Sequence, residues 1–210
     1  MRELLILSVG PHACEMADLV TQINAEEPTW NLLGFLVPDT EAALVGSRPV
    51  GAFAVVGTYA DLHQYPQAHL GWAFDCGFPD FPAERVATLV APSAFVASTA
   101  TIGKGCVIYP NCFIGHNTRL GDRVFMLAGS VINHDVVIEA DVTIATHVAI
   151  AGSVHVEAGC YLGQSSTVRQ LQRIGAGSLL GMGAVVVADV PAHAVMVGNP
   201  ARQLRQNAPR

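Results

Sequence analysis

From Val96 onward every sixth residue is a large aliphatic, through Ile102, Ile108, Ile114, Leu120, Met126, Ile132, Ile138, Ile144, Ile150, Val156, Leu162, Val168, Ile174 and Leu180 to Val186, without a slip across sixteen positions. Two residues before each stands something small or medium-sized, Ala94, Cys106, Thr118, Ser130, Val148 and Cys160 among them, with Gln172 the one exception. A period of six matches neither the 3.6 of a helix nor the 2 of a strand; it is the pattern of a hexapeptide β-helix. Short strands joined by tight turns wind into a triangular prism, three hexads to a coil, and the aliphatic and the small residue are the two inward side chains. About five coils are expected.

The first ninety residues do not share this repeat. Leu4 to Val9 reads as an apolar strand ending at Gly10-Pro11-His12, after which Met16, Leu19, Val20 and Ile23 recur at helical spacing. Trp30 to Val37 reads as a second strand, Ala52 to Val56 as a third leading into a short helix over Thr58 to His63, and Gly71 to Cys76 as a fourth. This alternation predicts a small parallel α/β layer over residues 1–88, with the β-helix over 89–210. Such a sheet takes ligands at the carboxyl ends of its strands, which makes Gly10 to Cys14 and Asp75 to Phe78 the candidate loops. Each has a single glycine, so ordinary connections explain them equally well.

The period also sorts the outward positions by prism face. Phe95, Phe113, Val131, Ala149, Thr167 and Val185 share one face; Val107, Phe125, Thr143, Tyr161 and Leu179 a second; Thr101, Arg119, Val137, His155 and Arg173 a third. Two faces are apolar outside as well as inside, and closed threefold assembly would cover them, so a homotrimer is expected. Composition narrows the partners. A net charge of -6, from 11 basic and 17 acidic residues, argues against nucleic acid and acidic membrane surfaces. The 51% hydrophobic content includes no unbroken apolar run of bilayer length, and the acid-containing first strand does not read as a secretory leader. Of five cysteines, Cys106, Cys112 and Cys160 occupy inward small-residue positions and read as core filler, which suits a reducing cytoplasm.

Residues eighteen apart stack on successive coils, about 4.8 Å from one another. His116, His134 and Gly152 therefore form one corner column, with Asp135 directly after His134 and Ser130, Asn133 and His147 near by. A histidine there, walled in by a neighbouring subunit, could act as a general base. Turn histidines can also simply bond to backbone, the plainer reading for His116, His147 and His155; His134, flanked by Asn133 and Asp135, favours chemistry.

The run Gly129–Glu139 (GSVINHDVVIE), the junction Ala87–Ala94 (ATLVAPSA) and the terminal Val197–Arg202 (VGNPAR) resemble the hexapeptide acyltransferases of the sialic acid O-acetyltransferase and bacillosamine-pathway sugar N-acetyltransferase type. The resemblance implies a Rossmann-like acceptor domain, a left-handed parallel β-helix, a trimer with sites between subunits, acetyl-CoA as donor and no metal. It implies His134 as base, Asp135 as the acid that orients it, and Gly152 as the N–H donor to the thioester oxygen. Gly163, Gln164, Gly181, Met182 and Arg202 would line the CoA groove, and Gly10, His12, Asn133 and His147 the acceptor site. The acceptor implied is a nucleotide-linked 4-amino-6-deoxy sugar; a sugar hydroxyl, another small acceptor, or a non-catalytic binding protein on the same prism are the alternatives. Departures concentrate on the acceptor side: Gly10-Pro11-His12-Ala13 replaces a Gly-His-Gly turn, Gly77-Phe78 a Gly-Asn, and Thr143 and Ala91 stand where histidines are usual. Zinc carbonic anhydrases share the prism, but their three-histidine spacing is missing around His116 and His134.

Overall fold

The computed structural model describes residues 1–73 and 81–207, in two compact units, Met1–Pro92 and Ser93 onward. The first unit is a four-stranded parallel sheet in the order β3-β2-β1-β4, from β1 (Arg2–Leu7), β2 (Trp30–Val37), β3 (Val55–Thr58) and β4 (His69–Gly71). Leu4, Leu5, Ile6 and Leu7 of β1 are all buried, because a central parallel strand is covered on both faces and so reads as a continuous apolar run. The one α-helix among the described residues, α1 (Pro11–Glu26), buries Ala13, Met16, Ala17, Leu19 and Val20. It starts at Pro11, whose missing N–H would have had no partner in the first turn.

Sequence and structure differ at three places here. The short helix expected over Thr58 to His63 is a 3-10 helix, Tyr59–Gln64, closed by a capping box in which Thr58 N–H donates to Asp61 Oδ2 at 2.8 Å. Six residues are too few to offset α-helix nucleation, and the cap favours the tighter turn. The third strand is displaced toward Thr58 because Val50 and Phe53 close a tight turn of their own. The fourth strand, expected over Gly71 to Cys76, lies at His69–Gly71 instead, and Trp72 and Ala73 are not strand; the rest of the expected span and the candidate loop Asp75–Phe78 with Gly77 lie outside the described residues.

The second unit is the left-handed β-helix. Sixteen two-residue strands, from Phe95–Val96 to Val185–Val186, form three parallel sheets in which every strand pairs with the one eighteen residues away. Arg119 pairs with Val137, Phe125 with Thr143 and Val131 with Ala149. The turns obey a rule as strict as that of the strands. The residue three after the aliphatic is left-handed at Asn111, Asn117, Asp135 and Asp141, and at Gly105, Gly129, Gly159, Gly177 and Gly183. These are the residue types that tolerate positive φ. Arg123, His147, Ser153, Ser165 and Leu171 adopt it without that advantage. The chain beyond the last hexad adds Ala194–Val197, paired antiparallel with the exposed strand Arg202–Gln206.

Inside the prism the small-residue position has a second job. Cys106, Cys112, Thr118, Ser130 and Cys160 each donate to a corner carbonyl fifteen residues on, Thr118 Oγ1 to Asn133 O at 2.6 Å and Ser130 Oγ to Ala145 O at 2.8 Å. The three thiols are buried, and burial pushes the pKa of each up to about 11, so they stay protonated at neutral pH. Of the two faces expected to be exposed and apolar, one is, and the other only toward Tyr161 and Leu179, which are exposed and half-buried. Phe95 and Phe113 are 55% and 38% exposed and stack with ring centroids 4.8 Å apart. On the other face Val107, Phe125 and Thr143 are already buried within the single chain, Phe125 packing against the Tyr109 ring at 5.5 Å. The third face is polar, as expected, with His155 bonded to Glu139 at 2.8 Å and Arg173 paired with Glu157.

Ser166 breaks the interior rule: its hydroxyl is fully buried and has no hydrogen-bond partner among the described residues. An unsatisfied buried hydroxyl costs about 1–3 kcal/mol. Ser166→Ala should therefore raise the melting temperature by about 2–4 °C per kcal/mol recovered. Ser130→Ala, in the same column but losing bonds to Ala145 O and from Val148 N, should lower it. Calorimetry of the two variants checks this, and a lowered midpoint for Ser166→Ala would contradict it.

Candidate active site

The corner that follows the strands Phe113–Ile114, Val131–Ile132 and Ala149–Ile150 gathers the expected column. Asp135 N–H donates to His116 O at 2.8 Å and Ser153 N–H to His134 O at 3.0 Å, so His116, His134 and Gly152 lie on successive coils. His134 projects from the turn with its side chain 63% exposed, and its Nδ1 lies 2.9 Å from Asp135 Oδ2. A carboxylate only accepts, so Nδ1 carries the proton in the neutral ring and Nε2 keeps its lone pair. The left-handed backbone at Asp135, φ 57°, belongs to the turn that places its carboxylate beside that ring.

The imidazole lies directly over Gly152. A Cβ at that position would come within 2.5 Å of Cε1 and 2.7 Å of Nε2 of His134. The glycine is thus required by the ring above it, while its own φ would accept any residue. Its N–H donates to no carbonyl among the described residues, unlike Ala151 N–H, bonded to Val168 O at 3.0 Å. The corner therefore presents a base nitrogen and an uncommitted backbone donor side by side.

Asp135 is held on both oxygens. Oδ2 takes the His134 ring, and Oδ1 accepts from Asn117 Nδ2 at 3.2 Å, one coil earlier. These two hydrogen bonds, His134 first and Asn117 second, hold the Asp135 carboxyl below its ordinary range. Asn117 N–H in turn donates to Thr99 Oγ1 at 3.0 Å, and that hydroxyl meets His116 Nδ1 at 2.9 Å. Neither Asn117 nor Thr99 was singled out from the sequence, although the eighteen-residue spacing between 117 and 135 was the available signal.

The other candidates fall into separate places. Asn133 turns its amide to Ile150 O at 2.9 Å, a structural bond at the same corner. His147 occupies a different corner, after Thr143–Ile144, with its ring over Gly129. Gly163, Gln164, Gly181 and Met182 stack on that second corner, Gly183 N–H donating to Gln164 O at 2.8 Å. Arg202 joins them, since Gly181 N–H bonds Met196 O and Val197 pairs with Arg202. Both glycines are demanded by what stacks on them, since a Cβ would come within 2.5 Å of Leu180 O at Gly163 and 2.9 Å of Val197 at Gly181, while Met182 stands 77% exposed and the Arg202 guanidinium donates to Ala201 O. One chain does not unite it with His134. Gly10 and His12 belong to the first unit, where Gly10 caps α1 and His12 Nδ1 lies 3.1 Å from Glu15. Among the described residues no cluster of three or more His, Cys, Asp or Glu could hold a metal, and no helix is long and apolar enough to cross a membrane.

Comparison with known proteins bears on the prism first. The bacterial transferase hexapeptide family (six repeats) matches residues 99–134. The acetyltransferase domain of PglB from Neisseria gonorrhoeae superposes with a TM-score of 0.80 at 25% identity, covering 97% of this chain and 100% of that one. A histidine-to-alanine variant of the GDP-perosamine N-acetyltransferase of Caulobacter crescentus, solved with CoA and GDP-perosamine, gives a TM-score of 0.81 at 22% identity, covering 97% of each chain. The acyl-[acyl-carrier-protein]–UDP-N-acetylglucosamine O-acyltransferase of Pseudomonas paraeruginosa is 39% identical over 90 residues, which is 43% of this chain. The matched stretch is 35% of that relative's length, so this chain spans only about a third of it.

Gly152→Ala tests the geometry of the corner. The backbone accepts alanine, but the imidazole must swing away, so folding should be kept while the His134 Nδ1–Asp135 contact is lost, which nitrogen-15 NMR of the ring reads; an unmoved ring spectrum would contradict the stacking. Carbon-13 titration should also find the Asp135 carboxyl below the ordinary carboxylate range. A depressed native value means that the group's stabilising contribution is present above its unfolded pKa and is lost as pH falls through the native one. An ordinary value at Asp135 would contradict the two-bond arrangement.

Proposed function

We propose that this hexapeptide-repeat chain is an acyl-CoA-dependent acetyltransferase that acylates an amino sugar, with His134 as general base. The observation that carries the proposal is the pairing at one corner of an unprotonated Nε2, fixed in tautomer by Asp135, with the uncommitted N–H of Gly152. The likeness over the whole chain to an acetyltransferase domain supports the same reaction.

Acetyl-CoA, when bound, supplies the acyl group as a reactive thioester. His134 Nε2 takes the proton that the acceptor nitrogen loses as it attacks. Asp135 keeps Nδ1 protonated before that transfer and offsets the positive ring after it. Gly152 N–H donates to the carbonyl oxygen as that oxygen gains charge. His134 then returns the proton from Nε2 to the CoA sulfur as the C–S bond breaks and CoA leaves as the free thiol. The buried Ser130 and Cys160 take no part, so transfer is direct.

The separation of the two corners within one chain supports a homotrimer, in which the His134 corner of one copy faces the Gln164–Met182 corner of another. The exposed Phe95–Phe113 stack supports a second copy as its cover. In this reading the first unit, Rossmann-like in its parallel sheet, receives a nucleotide-linked 4-amino-6-deoxy sugar, with Gly10 and His12 at the open end of α1. A second reading, transfer to a hydroxyl, is favoured by the 39% identity to O-acyltransferases over 90 residues.

His134→Ala should lower turnover by roughly 10²–10⁴ without loss of fold. Wild-type turnover in that variant would remove the base assignment. Acetyl-CoA at about a hundred times its dissociation constant should stabilise the protein by about 2.7 kcal/mol, a rise of several degrees in midpoint. A response to acyl carrier protein thioesters alone would remove acetyl-CoA as the donor. Product analysis then separates amide from ester.

A further inference from the structure

We propose that Asn117 is a positioning residue for the reaction, acting on His134 through Asp135; the proposal rests on the reading of His134 as base. An exposed carboxylate next to an exposed imidazole would turn freely about its side-chain bonds, and a single hydrogen bond between two such groups is weak. Here the second oxygen of Asp135 is tied down by the Asn117 amide at 3.2 Å, and the amide must be the donor because a carboxylate has nothing to donate. Asn117 is itself fixed. Its backbone is left-handed, φ 55°, its N–H is held by Thr99 Oγ1 at 3.0 Å, and the coil register sets it under Asp135 through Asp135 N–H to His116 O.

Three successive coils thus aim one imidazole. Thr99 holds the turn at Asn117, Asn117 holds one oxygen of Asp135, and the other oxygen of Asp135 holds Nδ1–H of His134. Without the amide the carboxylate can rotate away, and the ring is then free to carry its proton on Nε2, the nitrogen that must stay bare. The expected consequence falls on turnover, because Asn117 touches neither the donor nor the acceptor in this arrangement.

The repeat supplies the right variant for the test. Gly105, Gly129 and Gly159 occupy the equivalent turn position at the other two corners and have the same left-handed backbone, so Asn117→Gly removes the amide and leaves the turn unstrained. Asn117→Asp keeps the shape but sets an acceptor against Asp135 Oδ1. Nitrogen-15 NMR of the His134 ring, kcat, KM and the melting temperature are measured for both. Expected are an unchanged midpoint and KM for Asn117→Gly, a fall in kcat of roughly ten- to a hundredfold, and a loss of the Nδ1-protonated tautomer. Asn117→Asp should fall at least as far. Wild-type turnover and tautomer ratio in Asn117→Gly would overturn the proposal, and so would a fall in turnover with the tautomer ratio unmoved, which would mark a merely structural effect. The ring spectrum needs no turnover, so failure of the acetyltransferase reading, seen as full activity of His134→Ala, is a separate result and leaves the tautomer ratio to decide on Asn117.

Discussion

The coil register of eighteen residues is the constraint on which everything in the second unit depends. Each two-residue strand is too short to stand alone, and only the ladder to the coils above and below gives its backbone groups partners. Once that ladder is set, the interior has room for one large aliphatic and one small residue per hexad. Each corner must then turn through a left-handed residue. The small position also answers a need that the ladder leaves open, since hydroxyls and thiols at 106, 112, 118, 130 and 160 satisfy corner carbonyls of the next coil.

The candidate active site is a local use of that constraint. A solenoid corner repeats at fixed spacing, so side chains contributed by different coils are held in one line without any contact made for the purpose. His134 lies over Gly152 because 134 and 152 are one coil apart, and Asn117 reaches Asp135 for the same reason. The rigid backbone supplies precision that loops rarely give. It also keeps the Gln164–Met182 corner on a different edge, so a site that needs both must be assembled from more than one copy.

The prism was legible because its period is a property of single residues. Sixteen aliphatics in step define strands, faces and stacking before any contact is known, and the column of His116, His134 and Gly152 follows by counting. In the first unit, the bounds of Trp30–Val37 were legible because apolar character begins and ends there. What was not legible depended on side-chain direction or on cover. Val107 and Phe125 point outward by the repeat and are nonetheless buried, which no periodicity reveals. Asn117 reads as a turn asparagine at a position that tolerates positive φ; that its amide turns up to Asp135 is a matter of rotamer. Thr58 to His63 has helical composition, but its Thr58–Asp61 cap selects the tighter 3-10 turn.

The central claim is that chemistry and cofactor corners meet only between copies, and subunit mixing tests it most directly. One inactive parent carries His134→Ala, the other Gln164→Glu with Met182→Glu on the second corner. Random assembly of equal amounts into closed threefold rings restores about a quarter of the sites, since each pairs one copy's first corner with another's second. The account predicts acetyl transfer in the mixture at about that fraction of wild type, with neither parent active alone. A mixture as inactive as its parents at every ratio, with mixed assembly shown by mass, would contradict it.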